Sequence, residues 1–308
     1  MEKITEVTAV SAVTSKDVSY LEQSLISLET SARKAGWHIN FIIVANGFKI
    51  NKINKIDSRY KIISRRSNIG FAPAINYAVK HAKTEWCIVF SPDTATGINC
   101  LNLIYPDKFK GENIGLVGPG ITIDSGQLQY TILPYPSLKQ IFFEQSYLYK
   151  VFPFSIRYPL SDRNLYNSAH KVSALAAIWW FVNKKAFENI GGFDDRFFLY
   201  FEDVDFCRRL TEAGYFVIYN PASSISHFMH RSTGGETDGK LFYFGLKKYL
   251  EKYYGGIYTK LSLLIFKIGC LLRLFYWSMK VKIKLSANKK ILAENKIKYC
   301  RQVLDCKL

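Results

Sequence analysis

Pro73-Ala74-Ile75-Asn76-Tyr77-Ala78-Val79-Lys80-His81-Ala82, then Lys83-Thr84-Glu85, then Trp86-Cys87-Ile88-Val89-Phe90-Ser91-Pro92-Asp93-Thr94 is the stretch that decides the fold. Its first ten residues predict a helix, and residues 86–90 are apolar without alternation, the pattern of a strand covered on both faces. Outward from it, residues 7–13 predict a first strand, 20–34 an amphipathic helix, 41–44 a fully apolar second strand and 60–63 a third. Strands alternating with helices at this spacing specify a parallel sheet with helices on both faces. Ligands of such sheets bind beyond the carboxyl ends of the strands, where Ala45-Asn46-Gly47 and Ser91-Pro92-Asp93-Thr94 fall.

Past residue 113 the pattern is less regular. A hairpin is expected about Asp124-Ser125-Gly126, residues 130–166 are rich in aromatics, and the apolar run 172–182 reads as one buried strand. Val204, Cys207 and Leu210 recur at helical spacing from a start at Asp203, and Gly214 supplies the stop. Residues 215–219 and 223–227 read as two short strands, and no internal repeat is present.

Gly191-Gly192-Phe193-Asp194-Asp195-Arg196-Phe197-Phe198-Leu199-Tyr200-Phe201-Glu202-Asp203-Val204-Asp205 places five acidic side chains within twelve residues, with aromatics between them. Those aromatics should bury the segment, and a buried carboxylate persists only if it is paired, hydrogen-bonded or used. Asp203, at or near a helix N-cap, accepts backbone N–H groups and faces the positive end of the helix dipole. It should stay ionised at neutral pH, a suitable posture for a general base. Asp203 as a simple cap and Asp205 as a simple first-turn acid is the competing reading of this segment alone.

This signature, continued by Phe206-Cys207-Arg208-Arg209-Leu210 and Ala213-Gly214-Tyr215, resembles the acceptor side of family 2 inverting glycosyltransferases, and most closely the bacterial rhamnosyltransferase-like branch. The similarity covers about residues 5–255. It implies a GT-A fold, a Rossmann-like, mostly parallel sheet with helices on both faces. Asp203 is then the catalytic base, with Asp194, Asp195 and Glu202 on the acceptor side. Ser91-Pro92-Asp93-Thr94 stands where such enzymes hold a divalent cation on the donor diphosphate. One carboxylate holds a metal weakly, so a further ligand is required. The resemblance assigns it to His227, with His230 as second choice, and the mixed donor set suits Mn²⁺ or Mg²⁺. Read singly, Asp93 is a turn residue after proline and His227 a polar residue ending a strand.

Asn68-Ile69-Gly70-Phe71-Ala72-Pro73-Ala74-Ile75-Asn76 resembles the family segment beside the nucleotide, so Asn46, Asn68, Gly70, Asn76 and Ser91 are expected to bind the donor. Three departures bear on specificity. Ala45 stands where an Asp is expected to read the pyrimidine, Val10-Ser11-Ala12-Val13-Thr14 lacks the usual first-strand ending, and Ala177 replaces a common Gly. Arg209 matches the family's Arg and is expected to pair with Glu202 or Asp205 one turn away, with contact to a phosphate as the alternative.

The chain has 308 residues, 48% of them hydrophobic and 15% aromatic, which excludes a disordered protein. Its net charge of +17 is lopsided: residues 247–308 hold 15 Lys/Arg against 3 Asp/Glu and carry +12 of it. That excludes a generally basic nucleic-acid binder and points to a basic tail. The six cysteines form no CxxC pair, and the acidic start Met1-Glu2-Lys3-Ile4-Thr5-Glu6 leads into a strand, so a reduced, cytoplasmic setting is expected.

Two domains are expected: a GT-A domain, residues 1–255, and a basic, amphipathic, helical, membrane-associating tail, residues 256–308. Lys267 and Arg273 interrupt the apolar run 261–279, which therefore reads as a helix lying peripherally on the anionic cytoplasmic face of the plasma membrane, its cations snorkelling to the headgroups. With the resemblance, the expected activity is metal-dependent transfer of L-rhamnose from dTDP-rhamnose to a polyprenyl-diphosphate-linked glycan, in cell-surface polysaccharide (O-antigen or capsule) synthesis. The alternatives are a family 2 transferase using another nucleotide sugar, UDP-hexose or galactofuranose, and a silent membrane-bound glycan-binding module. A nucleotidyltransferase would want a glycine-rich basic loop on the first strand, and residues 10–16 offer none.

Overall fold

Alternating runs of apolar β-branched residues and amphipathic helices set the order of elements in the first half of the chain. In the computed structural model, which describes residues 4–50, 58–146, 158–228, 238–282 and 286–307, the strands and helices begin β1 (Glu6–Val13), α1 (Val18–Ala35), β2 (His38–Ala45), β3 (Tyr60–Ser64), α2 (Phe71–His81), β4 (Trp86–Phe90), β5 (Thr94–Thr96) and α3 (Cys100–Leu103). They continue with β6 (Ile114–Ile123), β7 (Ile132–Leu133), α4 (Leu138–Gln145), β8 (His170–Lys171), β9 (Ala174–Leu175), β10 (Trp179–Asn183), α5 (Lys184–Asn189), α6 (Glu202–Glu212) and β11 (Phe216–His227). The chain ends in α7 (Gly239–Tyr254), α8 (Gly256–Val281) and α9 (Ala287–Leu304).

Contacts divide the chain into two compact units: Met1–Leu133 with Asp162–Phe198 and Glu202–Gly235, and Pro134–Ser161 with Leu199–Phe201 and Glu236–Leu308. The first holds the sheet, ordered β3-β2-β1-β4-β10-β6-β11-β5, with β8 on β11. β3, β2, β1 and β4 run parallel, as does β11 beside β6, while β10 is antiparallel to both its neighbours. The result is a mostly parallel sheet in which every residue of β4 is buried. α1 buries Leu21, Ser24, Leu25, Leu28, Ser31 and Ala32, a three-and-four spacing that makes one face. Trp86 stacks on Phe181 at 4.5 Å, so β4 and β10 are locked by aromatic packing as well as by their ladder.

Several expectations are revised. The run 172–182 is not one strand: it breaks after β9 at residues 176–178, whose backbone is turned to other partners, and resumes as β10. The two strands expected at 215–227 are one, β11, with a register shift between Asn220 and Ser224. Of the signature's aromatics, Phe193, Phe197 and Phe201 are buried but Phe198 is exposed. The hairpin at Asp124-Ser125-Gly126 forms, Ile123 N–H donating to Gln127 O at 2.9 Å and Gln129 N–H to Ile121 O at 2.8 Å.

The second unit is helical. α8 packs against α4, α7 and α9, so residues 256–308 are part of a larger body that includes α4 and α7. Asp238 caps α7, its Oδ1 accepting from Lys240 N–H at 2.9 Å and Leu241 N–H at 3.1 Å.

Candidate active site

The site residues all belong to the sheet-bearing unit. β4 ends at Phe90, and the following Ser91 N–H donates to Ile178 O at 2.8 Å, which fixes the start of the Ser91-Pro92-Asp93-Thr94 loop against the β9–β10 break. Ser91 Oγ donates to Asp93 Oδ1 at 2.5 Å, and Thr94 Oγ1 donates to Ser91 O at 2.7 Å, so the loop is held by its own side chains. Asp93 is fully buried.

β11 returns to this loop from the other direction. Its last residue, His227, pairs in register with Thr94, and Phe228 N–H donates to Asp93 O at 2.8 Å. The imidazole Nε2 then stands 3.3 Å from Asp93 Oδ1, while Nδ1 lies 2.8 Å from Gln129 Oε1. With Nδ1–H donating to Gln129, Nε2 is left facing the carboxylate, and a metal-ligating histidine has its other nitrogen hydrogen-bonded in this way. Gln129, from the hairpin after β6, escaped the sequence reading because nothing in its local pattern marks it.

Asp203 is the second residue of α6 and partly buried. Its Oδ1 accepts from Val204 N–H at 2.8 Å and its Oδ2 from Ala177 N–H at 3.4 Å. Ala177 adjoins Ile178, whose carbonyl holds Ser91, so two consecutive residues of the β9–β10 break connect Asp203 to the Asp93 loop. Asp93 and His227 are thus in contact, and Asp203 is linked to their loop through the backbone of Ala177, Ile178 and Ser91. Burial pushes the Asp203 carboxyl up to about 6, against the N–H donors of Val204 and Ala177, which pull it down. Glu202 is held well above the usual carboxylate range, by burial first and by the charge of Asp203 second. Its Oε2 has no hydrogen-bond partner among the described residues. Burial and the neighbouring charge both favour the protonated form of Glu202. Tyr200 and Phe201 both have φ of 68°, strained for side-chain-bearing residues, immediately before α6.

Of the asparagines expected to bind the donor, Asn46 and Asn76 spend both amide protons within the protein, while Asn68 is exposed. Asn46 donates from Nδ2 to Asn68 Oδ1 at 2.8 Å and to Gly70 O at 3.0 Å, and accepts Ile69 N–H at 2.9 Å. Both its protons are used, so it shapes the loop and keeps one lone pair for a base. Asn76 grips the acidic turn instead: Nδ2 donates to Phe193 O and to Asp195 Oδ1, both at 2.7 Å, and Oδ1 accepts Phe193 N–H at 2.8 Å. It is a clamp on the signature, because its amide has no donor left for a ligand. Gly70 has φ of 91°, and a Cβ there would meet Phe198 O at 2.8 Å, so its close approach is to the signature loop. Asp194 forms a two-point pair with Arg196, and Asp205, fully buried, takes Arg209 Nε at 2.8 Å in place of Glu202.

Asp17, not singled out from sequence, lies in the loop after β1, buried, its Oδ2 accepting from Thr14 N–H and Oγ1, both at 2.7 Å. Burial raises its carboxyl, and the charge of Asp93 adds to the rise, which puts both acids at the same edge. Ala45 is buried and offers no side-chain polar group. His230 lies outside the described residues.

Among the described residues no group of three or more His, Cys, Asp or Glu is placed to hold a metal ion. Asp93 and His227 nevertheless fit a cation whose remaining ligands come from a substrate diphosphate and water: one hard oxygen, one imidazole with its other nitrogen hydrogen-bonded, adjacent at 3.3 Å.

No protein-family profile matches the chain. Over 255 residues, 75% of this chain and 79% of the relative, it is 27% identical to N-acetylglucosaminyl-diphospho-decaprenol L-rhamnosyltransferase of Mycobacterium tuberculosis, found in two strains. Among solved structures, GalNAc-T7 with UDP, GalNAc and Mn²⁺ matches with a TM-score of 0.59 at 13% identity, over 98% of this chain and 57% of that one. The chain thus spans little more than half of that structure. The fold is that of the GT-A glycosyltransferases, and the protein is a glycosyltransferase. Within that class, the 27% identity to a rhamnosyltransferase supports a family 2, rhamnosyltransferase-like protein.

Proposed function

We propose that the protein is a metal-dependent, inverting transferase that moves L-rhamnose from dTDP-rhamnose to a polyprenyl-diphosphate-linked glycan, in cell-surface polysaccharide (O-antigen or capsule) synthesis on the cytoplasmic face of the plasma membrane. The observation that carries the chemistry is Asp203, ionisable near neutrality and tied through Ala177 and Ile178 to the loop bearing Asp93. The similarity to a decaprenol-linked L-rhamnosyltransferase supports the sugar and the lipid carrier.

Asp203 takes the proton from an acceptor hydroxyl as that oxygen attacks the anomeric carbon. The bond to the nucleoside diphosphate breaks on the opposite face, its electron pair leaving with the diphosphate, so configuration inverts. Positioned general-base help of this kind contributes about 10²–10⁴-fold. Glu202, neutral beside it, keeps a second negative charge away from the base. Asp194 and Asp195 hold the acceptor-side turn through Arg196 and Asn76. Asn68, Gly70 and Ser91 line the donor side, and Asp93 with His227 would hold the cation. A bound divalent cation neutralises the charge of the departing diphosphate.

The test is transfer from labelled dTDP-rhamnose, UDP-hexose and UDP-galactofuranose, with and without Mn²⁺, to a polyprenyl-diphosphate-linked N-acetylglucosamine. Label in the lipid product only from dTDP-rhamnose supports the reading. Label only from a UDP sugar replaces the donor, and nucleotide binding without turnover from any donor replaces the enzyme with a silent glycan-binding module.

A further inference from the structure

Along α8, Leu261, Leu264, Ile268, Leu271, Phe275 and Met279 follow at steps of three and four and are 46% to 70% exposed. At about 100° per residue they fall within an arc of about 80°, over about 27 Å of helix. No polar residue between Leu261 and Met279 shares that arc. Contiguous exposed apolar surface of this extent marks a contact surface.

The other faces of α8 are committed to its own unit. Ser262, Leu263, Phe266, Gly269 and Cys270 are buried, and a Cβ on Gly269 would collide with the Gln145 side chain. The two cations that interrupt the run point inward. Lys267 Nζ donates to the carbonyls of Leu304 and Cys306 at the end of α9, and Arg273 donates to Glu144 O at 2.7 Å and Gln145 Oε1 at 2.6 Å at the end of α4. They cap helix ends and do not snorkel. By length and composition α8 could cross a membrane, yet part of its apolar length is buried in the protein. Spanning would strip both cations of their carbonyl partners and place them in hydrocarbon.

The charge around the stripe identifies its occupant. α8 contains no acidic residue, exposed Lys260 and Lys282 flank the stripe, and residues 256–308 hold 12 Lys/Arg against 2 Asp/Glu. An anionic bilayer surface complements both the apolar face and the cations, whereas a second copy would set like charges against each other.

We propose that α8 is a docking helix that lies flat in an anionic lipid leaflet, the stripe from Leu261 to Met279 facing the acyl chains and Lys260 and Lys282 at the headgroups. This rests on the peripheral, lipid-facing reading above and specifies its surface. The full chain should float with phosphatidylglycerol-containing vesicles and about tenfold less with pure phosphatidylcholine. Leu271→Asp with Phe275→Asp should lower flotation about tenfold or more, while the melting temperature and transfer to a water-soluble acceptor analogue stay at wild-type values. The native cysteines among the described residues are buried, so Leu264→Cys, Leu271→Cys and Phe275→Cys can be labelled singly, and lipid-borne nitroxides should report one shallow depth at all three. A depth greatest at the middle position, undiminished flotation of the double variant, or loss of a dimer in that variant without loss of flotation overturns the proposal. Wild-type protein that floats but transfers nothing to the soluble analogue leaves docking standing and removes the transferase reading.

Discussion

His227 Nε2 stands 3.3 Å from Asp93 Oδ1, two residues remote in sequence held together by the β11–β5 ladder and by the Phe228 N–H to Asp93 O bond. The contact is set by backbone pairing, so a change of either side chain should leave the strand ends in place and alter only what the pair can bind. His227→Ala should raise the Mn²⁺ concentration needed for half-maximal transfer and leave the fold intact by circular dichroism. Gln129→Leu should do the same more weakly, by about 10–100-fold in metal affinity, with turnover recovered at saturating Mn²⁺. Equal metal dependence in wild type and His227→Ala would remove His227 from the site.

Asp203→Asn should cut turnover by about 10²–10⁴-fold while a nucleoside diphosphate still raises the melting temperature as it does for wild type. The amide keeps the shape of the carboxylate, and its Oδ1 can still accept from Val204 N–H, the shorter of the two bonds, so lost nucleotide binding would show a role other than proton removal.

The raised carboxyl of Asp203 has opposite consequences for activity and stability. A base works ionised, so turnover should fall as pH drops through about 6. Glu202→Gln should leave that limb where it is, because burial and the neighbouring charge both favour the protonated form of Glu202. For stability, a carboxyl raised by burial binds its proton more tightly folded than unfolded. Its contribution is present below the ordinary carboxylate range and lost as pH rises through about 6. Asp203→Asn should therefore be more stable than wild type at pH 8 by about 1–3 kcal/mol and gain little at pH 4. Denaturant titrations at the two pH values check this.

Asn76→Ala should destabilise the protein by about 1–3 kcal/mol, because the amide and carbonyl of buried Phe193 lose their partners. Turnover should fall with little change in donor KM, since Asn76 grips the acidic turn. A rise in donor KM with unchanged turnover would return Asn76 to the donor side.

What could be read without coordinates followed from local pattern. The unbroken apolar run 86–90 is β4 residue for residue, because a strand covered on both faces has no reason to alternate. The run 172–182 is apolar at every position but Ser173, yet periodicity does not show that the chain turns at 176–178 to lend its amide and carbonyl to Asp203 and Ser91. Asparagine near a glycine-rich loop suits either a ligand contact or a loop clamp, and which protein groups Asn46 and Asn76 hold is set by distant segments that no local pattern contains.

Residue types and spacing by themselves determined the alternation of strands and helices, the acidic turn at 191–205 and the basic, apolar C-terminal run, since each depends on neighbours within a few positions. Tertiary structure decided that Asp93 meets His227, that Gln129 orients the ring, that Glu202 is buried against Asp203, and that Lys267 and Arg273 turn inward. Those outcomes depend on strand register, burial and helix-end carbonyls contributed by distant segments, and no local window of the chain contains them.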